Sequence, residues 1–161
     1  MRYSDIYLIN HDIDWFCIVN GVYIHVASAG GMIPSQVNDA ERLRAIQHQV
    51  EMFGDIYTDE DIIYNEAAID RVLSGNKDAK GREMYIESFT AMARKGFVSF
   101  DRTNIEDFKD NHYHMVCRPR KYDLWPKFEG VELERMERLA TVMVRRGKLE
   151  LIDNTLFIGP T

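Results

Sequence analysis

The chain has 161 residues, of which 45% are hydrophobic and 29% charged, and its formal net charge is −6. This length and apolar content predict one globular domain over residues 1–161 and exclude a disordered chain. Two cysteines are too few for a disulfide scaffold, and no apolar run approaches the roughly 20 residues of a membrane span. The first residues lack the apolar segment of a signal peptide, so we expect a cytoplasmic protein without a membrane partner.

The charge is distributed unevenly along the chain. Residues 1–70 carry three Arg and twelve Asp or Glu, a net charge of −9. Residues 71–161 carry seventeen Lys or Arg and fourteen Asp or Glu, a net charge of +3. Such asymmetry occurs at nucleic-acid faces and at the complementary ends of self-associating molecules. Uneven solvation of an ordinary surface is the simpler explanation.

The first predicted elements are β-strands. "DIYLI" at residues 5–9 is a candidate strand, and a hairpin follows because Asn20-Gly21 suits a two-residue type I′ turn. The turn predicts an apolar core face, on which the facing pairs are Val19 with Val22, Cys17 with Ile24 and Trp15 with Val26. It also predicts a mixed, half-covered face, on which the pairs are Ile18 with Tyr23, Phe16 with His25 and Asp14 with Ala27.

Three helices are predicted in the middle of the chain. The first begins at Asn38, with Glu41 as its capping partner, the second runs from Thr58 to Gly75, and the third ends at Gly96. Apolar residues at helical spacing mark the buried faces, which consist of Leu43, Ile46, Val50 and Phe53, of Ile62, Ile69 and Val72, and of Tyr85, Phe89 and Met92.

The period of the pattern changes after the third helix. "FVSFD" at 97–101 and "HYHMVCR" at 112–118 predict strands, and "TNIEDFKD" between them predicts a short helix capped by Thr103 and Glu106. An irregular aromatic segment, a helix over about 131–146 and a hairpin turning at Asp153-Asn154 follow. The prediction is an α+β fold, in which an N-terminal antiparallel hairpin or meander, central helices, further strands and a C-terminal hairpin pack as one domain.

Two histidines in "NHYHMVCRP" give the strongest chemical signal. On a regular strand His112 and His114 share one face while Cys117 points to the other, which excludes a ligand set of all three. The His-x-His spacing would let the histidines bind one zinc ion, with Asp101 or His25 as a supporting ligand or acid–base group. A solvated strand face is the alternative interpretation.

His25 has a second candidate partner, because the predicted hairpin register puts Asp14 on a diagonal position within reach. A carboxylate that orients an imidazole is half of many acid–base sites, but no serine lies beside this pair in the pattern. The glycine pair Gly30-Gly31 after the strand could cradle an anion, yet no Lys-Ser/Thr and no dinucleotide fingerprint accompanies it. We therefore interpret the glycine pair as a turn that needs positive φ.

No strong catalytic motif is present, so we expect a non-catalytic protein that acts as a homodimer or by binding a partner protein. Tyr122, Trp125 and Phe128 would supply an apolar interface. A small metal-dependent or His/Asp hydrolase with its site at His112 and His114 is the first alternative.

A winged-helix-like nucleic-acid binder is the second alternative. It would use the helix and hairpin of residues 131–160, with Arg145, Arg146 and Lys148 facing phosphates. The net acidity of the chain argues against it, and basic residues near a helix C-terminus already complement the helix dipole. Nucleic acid is therefore not an expected partner, and no cofactor is expected apart from the zinc ion that His112 and His114 could bind.

Overall fold

The computed structural model describes residues 1–19, 22–35, 37–74, 78–110, 112–120, 149–152 and 155–158. These ranges form, in chain order, α1 (Asp5–Ile9), β1 (Asp14–Val19), β2 (Val22–Ala27), α2 (Ala40–Met52), β3 (Ile62–Tyr64), α3 (Glu66–Leu73), α4 (Ala79–Arg94), β4 (Val98–Arg102), β5 (His112–Pro119), β6 (Leu149–Ile152) and β7 (Thr155–Ile158). The predicted α+β class is confirmed. No helix within these ranges has the length and apolar character needed to cross a membrane.

The N-terminal hairpin has the predicted register, which runs from Val19 opposite Val22 to Asp14 opposite Ala27. The prediction that its second face is half covered is wrong. His25 on that face is 1% exposed. Phe89 of α4 covers it, with the two ring centroids 6.1 Å apart. Phe16 and Tyr23 on the same face are also buried, whereas the side chain of Asp14 at its end is 47% exposed.

Residues 5–9 form α1 and not the predicted strand. The Ser4 hydroxyl caps the helix by accepting a hydrogen bond from the Tyr7 backbone N–H at 3.2 Å. Tyr3, Tyr7 and His11, each four residues apart, stack with ring centroids 4.7 and 3.9 Å apart. The alternation of this segment is compatible with a strand, but the cap and the stack at helical spacing favour the helix.

The first predicted helix is confirmed as α2, whose residues Leu43 and Ile46 are buried. Its N-cap is Asp39, one residue later than predicted, because the Asn38 side chain bonds to both backbone polar groups of Tyr3. The third predicted helix is confirmed as α4.

The second predicted helix is divided. Asp59–Asp61 form a 3₁₀ turn capped by Thr58, β3 follows, and α3 begins after its cap Asn65. Val72, expected on the buried face, is 41% exposed. The short helix predicted after β4 is also wrong. Asn104 and Asp107 there accept hydrogen bonds from backbone N–H groups two residues ahead, and these local turns replace the helix.

The strands form one mixed sheet in the order β1-β2-β4-β5-β7-β6, and β3 pairs with β5 as well. β2 and β4 are parallel, so their carboxyl ends meet at one edge, where Ala27 is next to Asp101. The predicted C-terminal hairpin is confirmed, because β6 and β7 are antiparallel and Ile152 pairs with Thr155. The predicted aromatic segment and last helix fall within residues 121–148, outside the described residues.

Two clusters of buried apolar residues pack mainly on opposite faces of the sheet, since the alternating residues Val26 and Ala27 of β2 belong to different clusters. The first cluster also contains Phe16 and Tyr23 from the face of the hairpin that carries His25. The first cluster joins α2 to the strands and includes Trp15, Ile24, Leu43, Ile46 and Phe100. The second joins α3 and α4 to the strands and includes Ile62, Ile69, Phe89, Val116 and Cys117. The candidate acid–base residues lie on this second face.

Candidate functional site

Asp101 and His114 lie opposite each other on β4 and β5, and Tyr85 of α4 bridges them. The Tyr85 hydroxyl donates a hydrogen bond to Asp101 Oδ2 at 2.7 Å and is 3.1 Å from His114 Nε2. The other imidazole nitrogen of His114 lies 3.1 Å from the hydroxyl of Thr103. We call these four residues, Tyr85, Asp101, Thr103 and His114, the β4–β5 network.

The proton positions in the β4–β5 network follow from counting donors. An ionised carboxylate can only accept, and Asp101 Oδ1 already accepts from the Arg102 backbone N–H at 2.8 Å. The single proton of Tyr85 goes to Asp101, so His114 Nε2 must carry the proton that points to Tyr85. A neutral His114 then accepts from Thr103 at Nδ1. The network is thus a directed chain from Thr103, at the surface, to Asp101, in the interior.

Burial shifts the pKa values of these groups. It raises the pKa of Asp101 to about 6, although hydrogen bonds from Tyr85 and the Arg102 backbone oppose the shift. Burial, with a smaller effect from Arg71, lowers the pKa of His114 to about 4. The pKa of Tyr85 is raised by burial and by its bond to Asp101. At neutral pH the network therefore holds an ionised acid beside a neutral histidine and phenol, and such perturbed groups are enriched at functional sites.

His25 belongs to a second network on the same face. Its Nε2 bonds to Asp14 Oδ1 at 2.8 Å, as the predicted register requires, and its Nδ1 is 2.5 Å from the hydroxyl of Ser99. Ser99 reaches His25 because β4 lies parallel to β2 and the two residues are partners in the sheet. Sequence reasoning missed this serine, since the pairing joins positions 74 residues apart.

The Asp14–His25–Ser99 arrangement has the composition of a hydrolase triad but not its exposure. Ser99 is fully buried, whereas the side chain of Asp14 is 47% exposed. A nucleophile must reach a substrate, and in a triad it is the acid that is buried. Here the carboxylate faces solvent and the serine lies in the core, so the arrangement orients Asp14 and does not support acyl transfer from Ser99.

His112 lies apart from both networks. It is exposed, and its Nδ1 is 3.0 Å from Asp110 Oδ1. His114, two residues along the same strand, is only 4% exposed and bonds to Tyr85 and Thr103. Within the described ranges, no group of three or more His, Cys, Asp or Glu side chains could hold a metal ion. The two histidines therefore have no third zinc ligand among those residues.

The face assigned to Cys117 on a regular strand is wrong, because β5 is irregular. The register with β4 shifts between Ser99 and Phe100, so that Met115 faces Phe100 and Cys117 faces Ser99. This shift moves Cys117 to the face of the sheet that carries the β4–β5 network. Its thiol is buried, and burial raises its pKa to about 12, so it stays protonated at neutral pH.

An open cleft of about 540 Å³ lies where α1, α2 and β1 meet. One wall carries the stacked rings of Tyr3, Tyr7 and His11. The walls also carry the acids Asp12, Asp14 and Glu51 and the base Arg44. Three carboxylates against one guanidinium give the cleft an excess of negative charge. We call it the acidic cleft.

The acids at the back of the acidic cleft are held in place by the sheet. Asp14 is fixed by His25, and its backbone oxygen accepts from the Gln47 amide of α2 at 2.7 Å. Asp12 Oδ1 accepts from the Ala29 backbone N–H at 2.8 Å. Oriented carboxylates beside aromatic rings are suited to a positively charged group, which gains both ion pairing and contact with the ring faces.

Among the residues predicted as site residues, Asp101 and His114 come together, His25 lies on the same face with different partners, and His112 is separate. Tyr85 was assigned from the sequence to an apolar helix face, and nothing in its spacing indicated a polar role. The acidic cleft was also missed, because it depends on residues 5–9 being helical.

No family model, no curated protein and no solved structure matches this chain.

Proposed function

We propose that the protein has a non-catalytic role and binds a positively charged segment of a partner protein in the acidic cleft. The observation that carries the proposal is the position of Asp14, half exposed in the cleft and held from behind by the buried His25. A carboxylate fixed in this way loses little conformational freedom when it forms an ion pair, so more of the interaction energy contributes to affinity.

Exposed apolar side chains on α1, the helix that contributes Tyr7 to the acidic cleft, support a protein as the partner. Ile6 and Ile9 of α1, the helix that carries Tyr7, are 76% and 55% exposed. Apolar side chains beside a charged site are typical of protein interfaces, in which they supply contact area around the specific pair. The volume of about 540 Å³ suits one or two long basic side chains.

Peptide binding measured by calorimetry tests this proposal. Short peptides in which a Lys or Arg is flanked by apolar residues should bind, and matched peptides with acetyl-lysine or citrulline should not, because they keep the shape and lose the charge. Asp14→Asn keeps an acceptor for His25 but removes the charge, and should weaken binding about tenfold or more. Glu87→Gln, an exposed acid on α4 outside the cleft, is the matched control.

Equal affinity for the charged and the neutral peptides would contradict the proposal, as would equal affinity of the Asp14→Asn variant. Sedimentation equilibrium over a range of concentrations then asks whether the partner is a second copy. The net negative charge of residues 1–70 and the net positive charge of residues 71–161 support a second copy as the partner. A dimer that dissociates in Asp14→Asn but not in Glu87→Gln would identify the second copy as the partner.

One observation favours a second candidate function, a His/Asp hydrolase that needs no metal. Asp101 and His114 share the hydroxyl of Tyr85, and an acid with a pKa of about 6 is well matched to general-base work near neutral pH. A screen of ester and phosphoester substrates, with and without chelator, tests this candidate. Any activity that survives in both Asp101→Asn and His114→Gln would exclude the network as its source.

A nucleic-acid function stays a prediction for the part of the chain from residue 131 onward. β7 of the C-terminal hairpin pairs with β5 in the main sheet, which leaves that strand less free to act as a wing. Arg145, Arg146 and Lys148 lie outside the described residues. Binding to duplex DNA that weakens steeply with salt would support this alternative.

A further inference from the structure

Arg102, the last residue of β4, is an unusual buried charge. Its side chain is 1% exposed, and its Nε donates to the Asn104 backbone oxygen at 3.0 Å. Neither terminal guanidinium nitrogen, Nη1 or Nη2, has a hydrogen-bond partner within the described part of the chain. A guanidinium stays protonated in proteins, so the fold buries a positive charge whose outer donors are unused.

The guanidinium packs directly under the turn that follows β2. A Cβ built on Gly31 would lie 1.2 Å from Arg102 Nη1, so any side chain at position 31 would require the guanidinium to move. The turn is the glycine pair that the sequence marked as a possible anion cradle. Ala29 and Gly30 have φ values of +46° and +72°. The left-handed conformation is unfavourable for alanine, which lowers the cost of moving this turn.

The position in the sheet is one at which ligands commonly bind. Arg102 lies beside the carboxyl ends of the parallel strands β2 and β4, and open sheets bind ligands in the space beyond such ends. The positive charge of Arg102 acts on two neighbours, since it helps to lower the pKa of Asp110 and opposes the rise in the pKa of Tyr113. Asp110 makes no hydrogen bond to Nη1 or Nη2 of Arg102. Its Oδ1 accepts from the His112 backbone N–H and lies 3.0 Å from His112 Nδ1.

We propose that Arg102 anchors a binding site for a small oxyanion, a carboxylate or a phosphate, which reaches Nη1 and Nη2 when the turn over residues 28–31 moves aside. The two terminal nitrogens of a guanidinium form a planar fork that matches two oxygens of a carboxylate or phosphate. The ligand removes both unfavourable features of the closed form, the unused donors and the left-handed alanine. This site has the opposite charge preference to the acidic cleft, and the turn that covers it is joined to the cleft by the hydrogen bond from the Ala29 backbone N–H to Asp12 Oδ1.

Nitrogen-detected NMR of the arginine side chains, during titration with inorganic phosphate or acetate at constant ionic strength, tests the proposal. One guanidinium should shift and saturate, and Arg102→Lys should remove that signal while Arg42→Lys, an exposed control, should not. At a ligand concentration tenfold above Kd, Tm should rise by about 3 to 6 °C in the wild type. Response to one anion and not the other would identify which oxyanion the site prefers.

Gly31→Ala gives a second variant in case Arg102→Lys does not fold. The added methyl displaces the guanidinium, so the anion should no longer raise Tm even though the arginine is present. The proposal fails if no guanidinium signal responds to either anion, or if the responding signal persists in Arg102→Lys. It also fails if Gly31→Ala keeps the full rise in Tm.

Discussion

The β4–β5 network makes a specific prediction about stability and pH, because its two titrating members have pKa values displaced in opposite directions. We consider two variants that remove one group each. Asp101→Asn can keep its hydrogen bonds if the chain of donors reverses, with the new amide donating to Tyr85. His114→Gln puts an amide donor near the position of Nε2 and removes the titration of the imidazole.

The sign of each group's contribution to the free energy of unfolding follows from the direction of its pKa shift. The pKa of Asp101 rises from 3.8 to about 6 on folding, so its stabilising contribution is complete below pH 3.8 and is lost as the pH rises through about 6. The pKa of His114 falls from 6.5 to about 4, so its contribution is present above pH 6.5 and is lost as the pH falls through about 4. At about 1.4 kcal/mol per pH unit, each contribution is about 3 kcal/mol.

The two contributions oppose each other and nearly cancel in the wild type between pH 4 and 6.5. A variant that lacks one of the two groups therefore shows the pH dependence of the other. Relative to the wild type, Asp101→Asn should lose about 3 kcal/mol of unfolding free energy as the pH falls from about 7 to about 4. His114→Gln should gain a similar amount over the same interval.

Urea unfolding followed by circular dichroism, at closely spaced pH values between about 4 and 7, measures both slopes. Subtracting the unfolding free energy of the wild type at each pH removes the contribution of all other titrating groups. Glu87→Gln is the control for loss of an exposed acid. If Asp101→Asn and His114→Gln keep the pH dependence of the wild type, the two groups are not buried and coupled as described. Slopes of the reverse sign would refute the assignment of charge states.

Other predictions concern the core, a helix cap and the thiols. Leu43→Ala should lower the unfolding free energy by about 2 to 5 kcal/mol, whereas Ile6→Ala on exposed α1 should change it by less than about 0.5 kcal/mol, as measured by urea unfolding. Asn65→Ala should cost about 1 to 3 kcal/mol in the same assay, since Asn65 caps α3 and also donates to the Met115 backbone oxygen at 2.9 Å. Cys17 and Cys117 should react with a thiol reagent only in denaturant, because both are buried and burial raises the pKa of each thiol; rapid labelling of the native protein would contradict their burial.

Local patterns predicted those parts of the fold that depend on neighbouring residues. The sequence Asn20-Gly21 predicts a two-residue connection, which leaves a single pairing for the strands, and the observed register with Val19 opposite Val22 agrees with it. α1 was missed because five alternating residues satisfy a strand pattern, while the features that decide for the helix are the Ser4 cap and the packing of two tyrosines and a histidine.

The candidate site depends on contacts that no local pattern encodes. Asp101 and His114 could be named as polar residues within apolar strands, but their meeting at Tyr85 requires α4 to cross both strands. Ser99 approaches His25 only because β2 and β4 are parallel neighbours. The shift in register between β4 and β5 likewise changes the face of Cys117, and one displaced residue cannot be read from alternation.

Binding of a cationic side chain to Asp14 in the acidic cleft can be observed by chemical-shift mapping of the labelled protein with a Lys- or Arg-containing peptide. We expect saturable shifts of backbone amides in residues 3–14 and 44–51, the segments that line the cleft. The His25 imidazole should respond as well, through its bond to Asp14. The same titration with the neutral acetyl-lysine or citrulline peptide should produce no such shifts. Shifts confined to α4 and β5, or equal responses to the charged and neutral peptides, would contradict the account.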